Sequence, residues 1–301
     1  MKRNHLPLWT ALAGLLIAGG SALAQRNYDN VKIKTTHVAG NVYMLEGSGG
    51  HIGVSAGEDG LLIVDDEFAP LADKIRTALA GLSKGKLAFV LNTHWHGDHT
   101  GGNPKFGREA TIIANTNVRK RLATRQTMGG RKTGPLPKEG LPVITFDESL
   151  SIHFNGEEIR ALHFPHGHTD GDTVVWFTGS NVVHMGDDLF NEMFPFVDLD
   201  HGGDVLGLIR NVKAVIDQLP PDVKVIPGHG PLTDLSGLKT FHRMLVETTD
   251  VVKSALAAGK TLDQIKAAGV PDRWKKWGGG FIKTDRWLET IHRSLAAPKK
   301  S

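Results

Sequence analysis

The chain has 301 residues, 35 of them basic and 32 acidic, and contains no cysteine. The missing thiols exclude disulfides, thiolate zinc sites and cysteine nucleophiles, so any metal must be held by nitrogen and oxygen. Nearly balanced charge gives no basis for nucleic-acid or membrane-surface binding.

The N-terminus reads as a secretory signal peptide. A basic start, "MKRNH", precedes the apolar run "LPLWTALAGLLIAGG" and the pattern Ala22-Leu23-Ala24, which predicts cleavage after Ala24. The run, about 15 residues, is short of the ~20 that span a bilayer. No second run of that kind follows, so a soluble, periplasmic mature chain is expected. Lys2 and Arg3 are the only charged residues of segment 1–24, and their loss leaves a formal charge of +1. About 277 residues remain, enough for one large domain with a helical appendage.

Residues 31–66 predict strands: "VKIKTTHV", "NVYMLEG", "HIGVSAG" and "GLLIVDD" are β-branched or alternating and separated by Gly, Asn and Asp. "APLADKIRTALAGL" (69–82) switches to helical period. "KLAFVLNTH" (86–94) is an apolar strand, followed by strand "TIIANT" and helix "NVRKRLATR". Gly, Pro and Lys crowd residues 127–142, which predicts a long irregular loop of the kind that binds ligands. A second set of strands follows in "VITF", "LSIHF", "EEIRALHF", "TVVWFTG" and "NVVHMGD". Helix "DVLGLIRNVKAVIDQL" (204–219) and strand "DVKVIPGHG" come next, and from about residue 236 the pattern is helical. Strands and helices in two similar halves predict an α/β, four-layer αββα sandwich of two mixed β-sheets with helices outside. The expected organisation is a domain over 25–235 and a helical extension over 236–301 packed on it.

Four apolar strands run directly into ligand-type side chains: "VLNTHWHGDH", "LHFPHGHTDGD", "VVHMGD" and "VIPGHG". Strand ends on one edge of a sandwich converge, so distant side chains can meet there. In an extended bend residues i and i+2 point the same way, so His94 and His96 can grip one ion. Asp98 and His99 lie past Gly97, where the chain can turn towards a second.

These motifs resemble the metallo-β-lactamase superfamily. The signature HxHxDH stands at 94–99, with "GHT" at 167–169, "GDDLF" at 186–190 and "PGHG" at 227–230, and the likeness covers essentially the whole mature chain. The resemblance implies the sandwich fold and two metal ions, Zn²⁺ in the first place and Fe or Mn as other choices. It implies that His94, His96 and His168 bind one ion, that Asp98, His99 and His229 bind the other, and that Asp187 bridges them. "HGH" at 166–168 leaves either histidine eligible, with Thr169 favouring His168.

Two cations sharing Asp187 would activate a bridging water for attack on a carbonyl of a small-molecule substrate, with Asp98 as catalytic residue orienting the nucleophile or relaying its proton. The chain carries His96 where di-iron oxidoreductases of this fold have Glu. Tyr28 and Tyr43 are its only tyrosines, whereas glyoxalase II recognises glutathione partly through tyrosines. Many zinc β-lactamases place Lys three positions after the residue matching Asp187; here Phe190 stands, and Arg131, Lys132 or Lys138 are the cations that could replace it. The leading expectation is an exported zinc hydrolase of β-lactamase-like type, promiscuous towards β-lactams. A lactonase, a glyoxalase II-like thioesterase, a sulfur dioxygenase using one iron and a non-catalytic metal-binding periplasmic protein are the alternatives. Asp65, ending "LLIVD", is placed to hydrogen-bond the metal loop or to cap a turn, and His51 lies in a glycine-rich flap that could touch substrate. His153, His163 and His184 fall within strands and are expected to be packed and hydrogen-bonded.

Overall fold

The computed structural model of the chain describes residues 27–296, and the expected leader, residues 1–24, lies outside them. Turn residues bound the first antiparallel strands, β1 (Lys34–Ala39), β2 (Val42–Glu46), β3 (Ile52–Gly57) and β4 (Gly60–Val64). Helix α1 (Ala72–Ala80) buries Ala72, Ile75 and Leu79 at helical spacing. It returns the chain so that β5 (Leu87–Asn92) runs parallel to β4. Every residue of β4 is buried, as expected of a strand covered on both faces.

Two short helices missed by the sequence reading, α2 (Gly97–Thr100) and α3 (Asn103–Phe106), follow β5. β6 (Thr111–Asn115) pairs parallel to β5, and α4 (Thr116–Leu122) is capped by the Asn115 side chain, which accepts from Asn117 N–H. Segment 127–142 departs from the expected irregular loop. β7 (Gln126–Met128) and β8 (Arg131–Thr133) form an antiparallel ribbon, because Gly129 and Gly130 both take the positive φ that its tight turn demands. β9 (Ile144–Phe146) then completes a seven-stranded sheet.

The second sheet has six strands. β10 (Ser149–Phe154), β11 (Glu157–His163), β12 (Thr173–Phe177) and β13 (Val182–His184) form an antiparallel meander. After helix α5 (Val205–Ile216), β14 (Lys224–Ile226) pairs parallel to β13, and β15 (Thr233–Asp234) closes the edge. Helices α6 (Leu235–Ala257), α7 (Leu262–Ala268) and α8 (Thr284–Ala296) complete the described chain. No helix among the described residues is long and apolar enough to cross a membrane.

The inner faces of the sheets meet in one core, with Val42, Met44, Leu62, Val64, Leu91 and Ile113 against Ile159, Ala161, Val175, Phe177 and Ile226. Each of these side chains except Ala161 contributes about 1.5–3 kcal/mol through burial. A second core joins Val183 and Val225 of the second sheet, with Met185 just after β13, to Leu208 and Val212 of α5, Phe241 and Leu245 of α6, and Trp287 and Ile291 of α8. On the first sheet, Val118 and Leu122 of α4 pack with Ala114 and Trp95. Helices outside two mixed sheets make the expected αββα sandwich. The carboxyl ends of β4, β5, β13 and β14 supply the loops that follow.

Candidate metal centre

The parallel pairing of β5 with β4, and of β14 with β13, sends their following loops to one edge of the sandwich. Thr173 N–H donates to Thr93 O at 2.8 Å and His51 N–H to Gly228 O at 2.9 Å, tying the two sheets at that edge. Two groups of donor atoms result. His94, His96, His168 and Asp187 form one and Asp98, His99 and His229 the other, the atoms of each lying within 4.8 Å of one another. These are the seven residues singled out in the sequence, brought together across both sheets. Of the two eligible histidines, His168 joins the first group. His166 is exposed, takes φ +55° and turns Nδ1 to Gly202 O at 3.0 Å.

Asp187 stands between the groups. Its Oδ2 lies 3.4 Å from His168 Nε2 and 3.8 Å from His94 Nε2. Its Oδ1 lies 3.1 Å from His99 Nε2 and 3.4 Å from His229 Nε2. Space for this carboxylate depends on Gly228, where a Cβ would fall 2.1 Å from Asp187 Oδ1. The first group is deeply buried, whereas the Asp98 and His229 side chains keep 35% and 20% of their exposure, so the centre opens to solvent on their side.

The outward nitrogens of the rings are held by fixed acceptors. His99 Nδ1 meets Asp65 Oδ2 at 2.7 Å, His168 Nδ1 meets Phe196 O at 2.7 Å, and His96 Nε2 meets Asp198 Oδ2 at 2.9 Å. Thr93 donates its hydroxyl to Asp65 Oδ2 at 2.7 Å and lies 3.0 Å from His94 Nδ1. With the outward nitrogens donating, the inward ones of His94, His96 and His168 present lone pairs, whereas at His99 burial is outweighed by Asp187 and Asp65, which hold it well above the usual histidine range. His168 Nε2 and His96 Nδ1 then face each other at 2.8 Å, and His94 Nε2 is buried without a hydrogen-bond partner. Buried lone pairs converging on carboxylate oxygens suit a divalent cation, and an all-nitrogen-and-oxygen set suits zinc well.

Charge in the metal-free chain follows the same geometry. Burial and the neighbouring His99 hold His94 well below the usual histidine range, and burial brings His168 down to about 4. Burial also opposes a charge on His229, but Asp187 and Asp98 outweigh it and push His229 up to about 9. Burial works against ionised Asp98 as well, yet His99 and His229 hold it well below the usual carboxylate range. An entering cation must therefore displace protons from His229 and His99, so metal binding weakens as pH falls below about 9.

Asp65 is fully buried, and its contacts with Thr93 and His99 make it the orienting group considered in the sequence. His51 is buried beside the centre with Nδ1 on Pro227 O at 3.1 Å. Burial and His229 lower it to about 4, and it belongs to neither donor group. The flap carrying it is fitted against the metal loop: Gly50 N–H donates to Asp98 O, and a Cβ at Gly50 would strike the His99 ring. Lys132 and Lys138 are exposed on segment 127–142. His184 is buried, its Nε2 on His51 O, and His163 turns Nδ1 to Asp172 O, as expected. His153 corrects that expectation, because it lies on the exposed face of β10 and points to solvent.

Several buried carboxylates escaped the sequence reading. Asp172 accepts from Thr169 N–H and hydroxyl, and burial pushes it up to about 6; Asp188 accepts from His168 N–H. Asp198 also binds His201 Nδ1 at 2.8 Å, so a buried Asp–His pair stands behind His96. The stretch "DLDHGGD" was the available signal, but it follows no apolar strand. Replacing Asp198 by alanine is expected to weaken metal binding by roughly 10–100-fold. Competition against a chromophoric chelator measures this, and unchanged affinity would mean that His96 is held without it.

The sequence model of the metallo-beta-lactamase superfamily matches residues 35–229. Lactamase-like protein nscB of Trichophyton equinum is 26% identical over 222 residues, covering 70% of this chain and 62% of that protein. This chain therefore spans less than two thirds of that relative's length. A hydroxyacylglutathione hydrolase of a Polaromonas species is 31% identical over 169 residues, 53% of this chain and 55% of that protein. Among solved structures, a metallo-beta-lactamase from Pontibacter korlensis matches with a TM-score of 0.59 and 17% identity, covering 71% of this chain and 99% of that one. At that identity the likeness speaks for the fold.

Proposed function

Since the chain belongs to the metallo-beta-lactamase superfamily, we propose that it is an exported dinuclear zinc hydrolase that opens the carbonyl–heteroatom bond of a small molecule. The observation that carries this reading is Asp187, whose two oxygens are turned to two separate donor groups. His94, His96 and His168 would hold one ion, Asp98, His99 and His229 the other, with Asp187 common to both. Bound there, divalent ions polarise a carbonyl oxygen and lower the pKa of a coordinated water from 15.7 towards about 7.

The chain's own residues do the rest. Burial of the first group keeps bulk water from His94, His96 and His168. Asp65, Asp198 and Phe196 O fix the histidine rings, so no reorientation accompanies a change of charge in the site. Asp98, ionised and on the open side 3.4 Å from His229 Nε2, is the group we assign to holding and passing on a proton.

β-Lactam opening belongs to this reading as a promiscuous activity. The identity with a hydroxyacylglutathione hydrolase supports a thioester as the second reading. A sulfur dioxygenase requires one iron, and a carrier protein requires no turnover. Export rests on the leader, and N-terminal sequencing of periplasmic protein should begin at Gln25.

Metal analysis of the purified chain is expected to give about two zinc ions, against one iron for a dioxygenase. A panel of chromogenic cephalosporin, lactone, ester and thioester then ranks substrates. If the fully metallated chain turns over none of them and Asp98→Ala alters nothing measurable, the hydrolase reading is wrong.

A further inference from the structure

The C-terminal segment reaches back to the metal centre through one side chain. Between Trp277 and α8 runs the turn "GGGFIKT". Trp277 and Ile282 are buried in the helical core, whereas Phe281 between them is 61% exposed. An exposed Phe alone would mean little. This ring, however, lies 5.8 Å from Phe190 and 6.2 Å from His229. Phe190 itself is fully buried and stacks on His229 at 5.0 Å with an interplanar angle of 24°. Phe281 is thus the outermost ring of an aromatic series that begins at a metal-site histidine. It stands on the side where Asp98 and His229 meet solvent.

The turn is built to keep it there. Phe194 N–H donates to Trp277 O at 3.3 Å, and Lys283 Nζ reaches Gly279 O at 3.1 Å. Gly280 lies so close to Met193 that a Cβ would sit 3.0 Å from Met193 Cβ. Every ion pair of Asp98 and Asp187 is with a histidine, so these carboxylates have no lysine or arginine partner among the described residues. The one cation of the turn, Lys283, directs its ammonium to Gly279 O. The turn thus offers an anionic arm of a substrate no free cation, while a hydrocarbon arm would cover an exposed ring.

We propose that Phe281 is a specificity-determining residue that receives the hydrocarbon arm of an uncharged ester or lactone at the mouth of the centre. The proposal rests on the hydrolase reading and narrows its substrate class. Burying a few methylenes against the ring corresponds to about tenfold in kcat/KM.

The test uses the zinc-loaded full chain with p-nitrophenyl acetate and p-nitrophenyl octanoate. Wild type is expected to prefer octanoate, the octanoate-to-acetate ratio of kcat/KM falling about tenfold in Phe281→Ala and recovering largely in Phe281→Leu. Calorimetric binding of octanamide against acetamide supplies a readout without turnover, with tighter octanamide binding expected in wild type and lost in Phe281→Ala. An unchanged ratio in Phe281→Ala, or octanamide binding equally to both proteins, overturns the proposal. Absence of turnover of either ester by wild type counts against the hydrolase reading, and the amide titration then decides the role of Phe281 by itself.

Discussion

Asp187→Asn should lower turnover by on the order of a thousandfold or more and, on the proposed two-ion reading, cost the chain at least one ion. The two carboxylate oxygens serve different partners, Oδ2 towards His168 and His94 and Oδ1 towards His99 and His229. An asparagine keeps the shape but carries no charge, and its amide nitrogen, having no lone pair to offer, must face one of the groups. The same change removes the main attraction holding a proton on His229, so the proton released when zinc binds near neutral pH should diminish. Metal content by mass spectrometry, steady-state rates and proton release by calorimetry check these effects together. Two ions retained with wild-type rates would remove Asp187 from the centre.

The second large effect is expected away from the donor atoms. Asp65 is buried, and its carboxylate accepts from Thr93 N–H at 2.8 Å and from the Thr93 hydroxyl at 2.7 Å, with His99 Nδ1 at 2.7 Å. Alanine would strand three buried polar groups, costing about 3 kcal/mol of stability, and would lower zinc affinity roughly 10–100-fold through the freed His99 ring. Asparagine separates chemistry from backbone. Asp65 has φ +66°, a conformation that Asn tolerates as well as Asp. Its amide, however, would turn a donor towards donors, so Asp65→Asn should recover little. Urea melts of metal-free protein and chelator competition measure the two losses. A fully stable Asp65→Asn variant with native affinity would show that the carboxylate is replaceable.

Legibility in the sequence followed the strands. His94, His168, Asp187 and His229 were readable because each stands just beyond an apolar strand, at β5, β11, β13 and β14; parallel pairing aligns the ends of β13 and β14, and β11, two antiparallel steps from β13, ends at the same edge. The sandwich was readable for the same reason, since alternating and continuous apolar runs reveal which strand faces are covered. Asp198 was hidden because it belongs to a long connection between β13 and α5, where no periodicity marks a direction. The ribbon of β7 and β8 was hidden because its paired glycines, which make the turn possible, have the composition of an irregular loop. Phe281 was invisible for a different reason: only the packing of a distant helical segment brings residue 281 beside residue 229.

The seven donors come from opposite sides of the sandwich. His94, His96, Asp98 and His99 follow the first sheet, and His168, Asp187 and His229 follow the second. An ion shared between them would act as a rivet through two plates. Its full binding energy would be available only to a chain whose plates have closed, so the nascent protein would gain most from the metal late in assembly. Once closed, the same rivet resists any opening that would part the plates, and the edge of the molecule that carries the chemistry becomes its most tightly fastened seam.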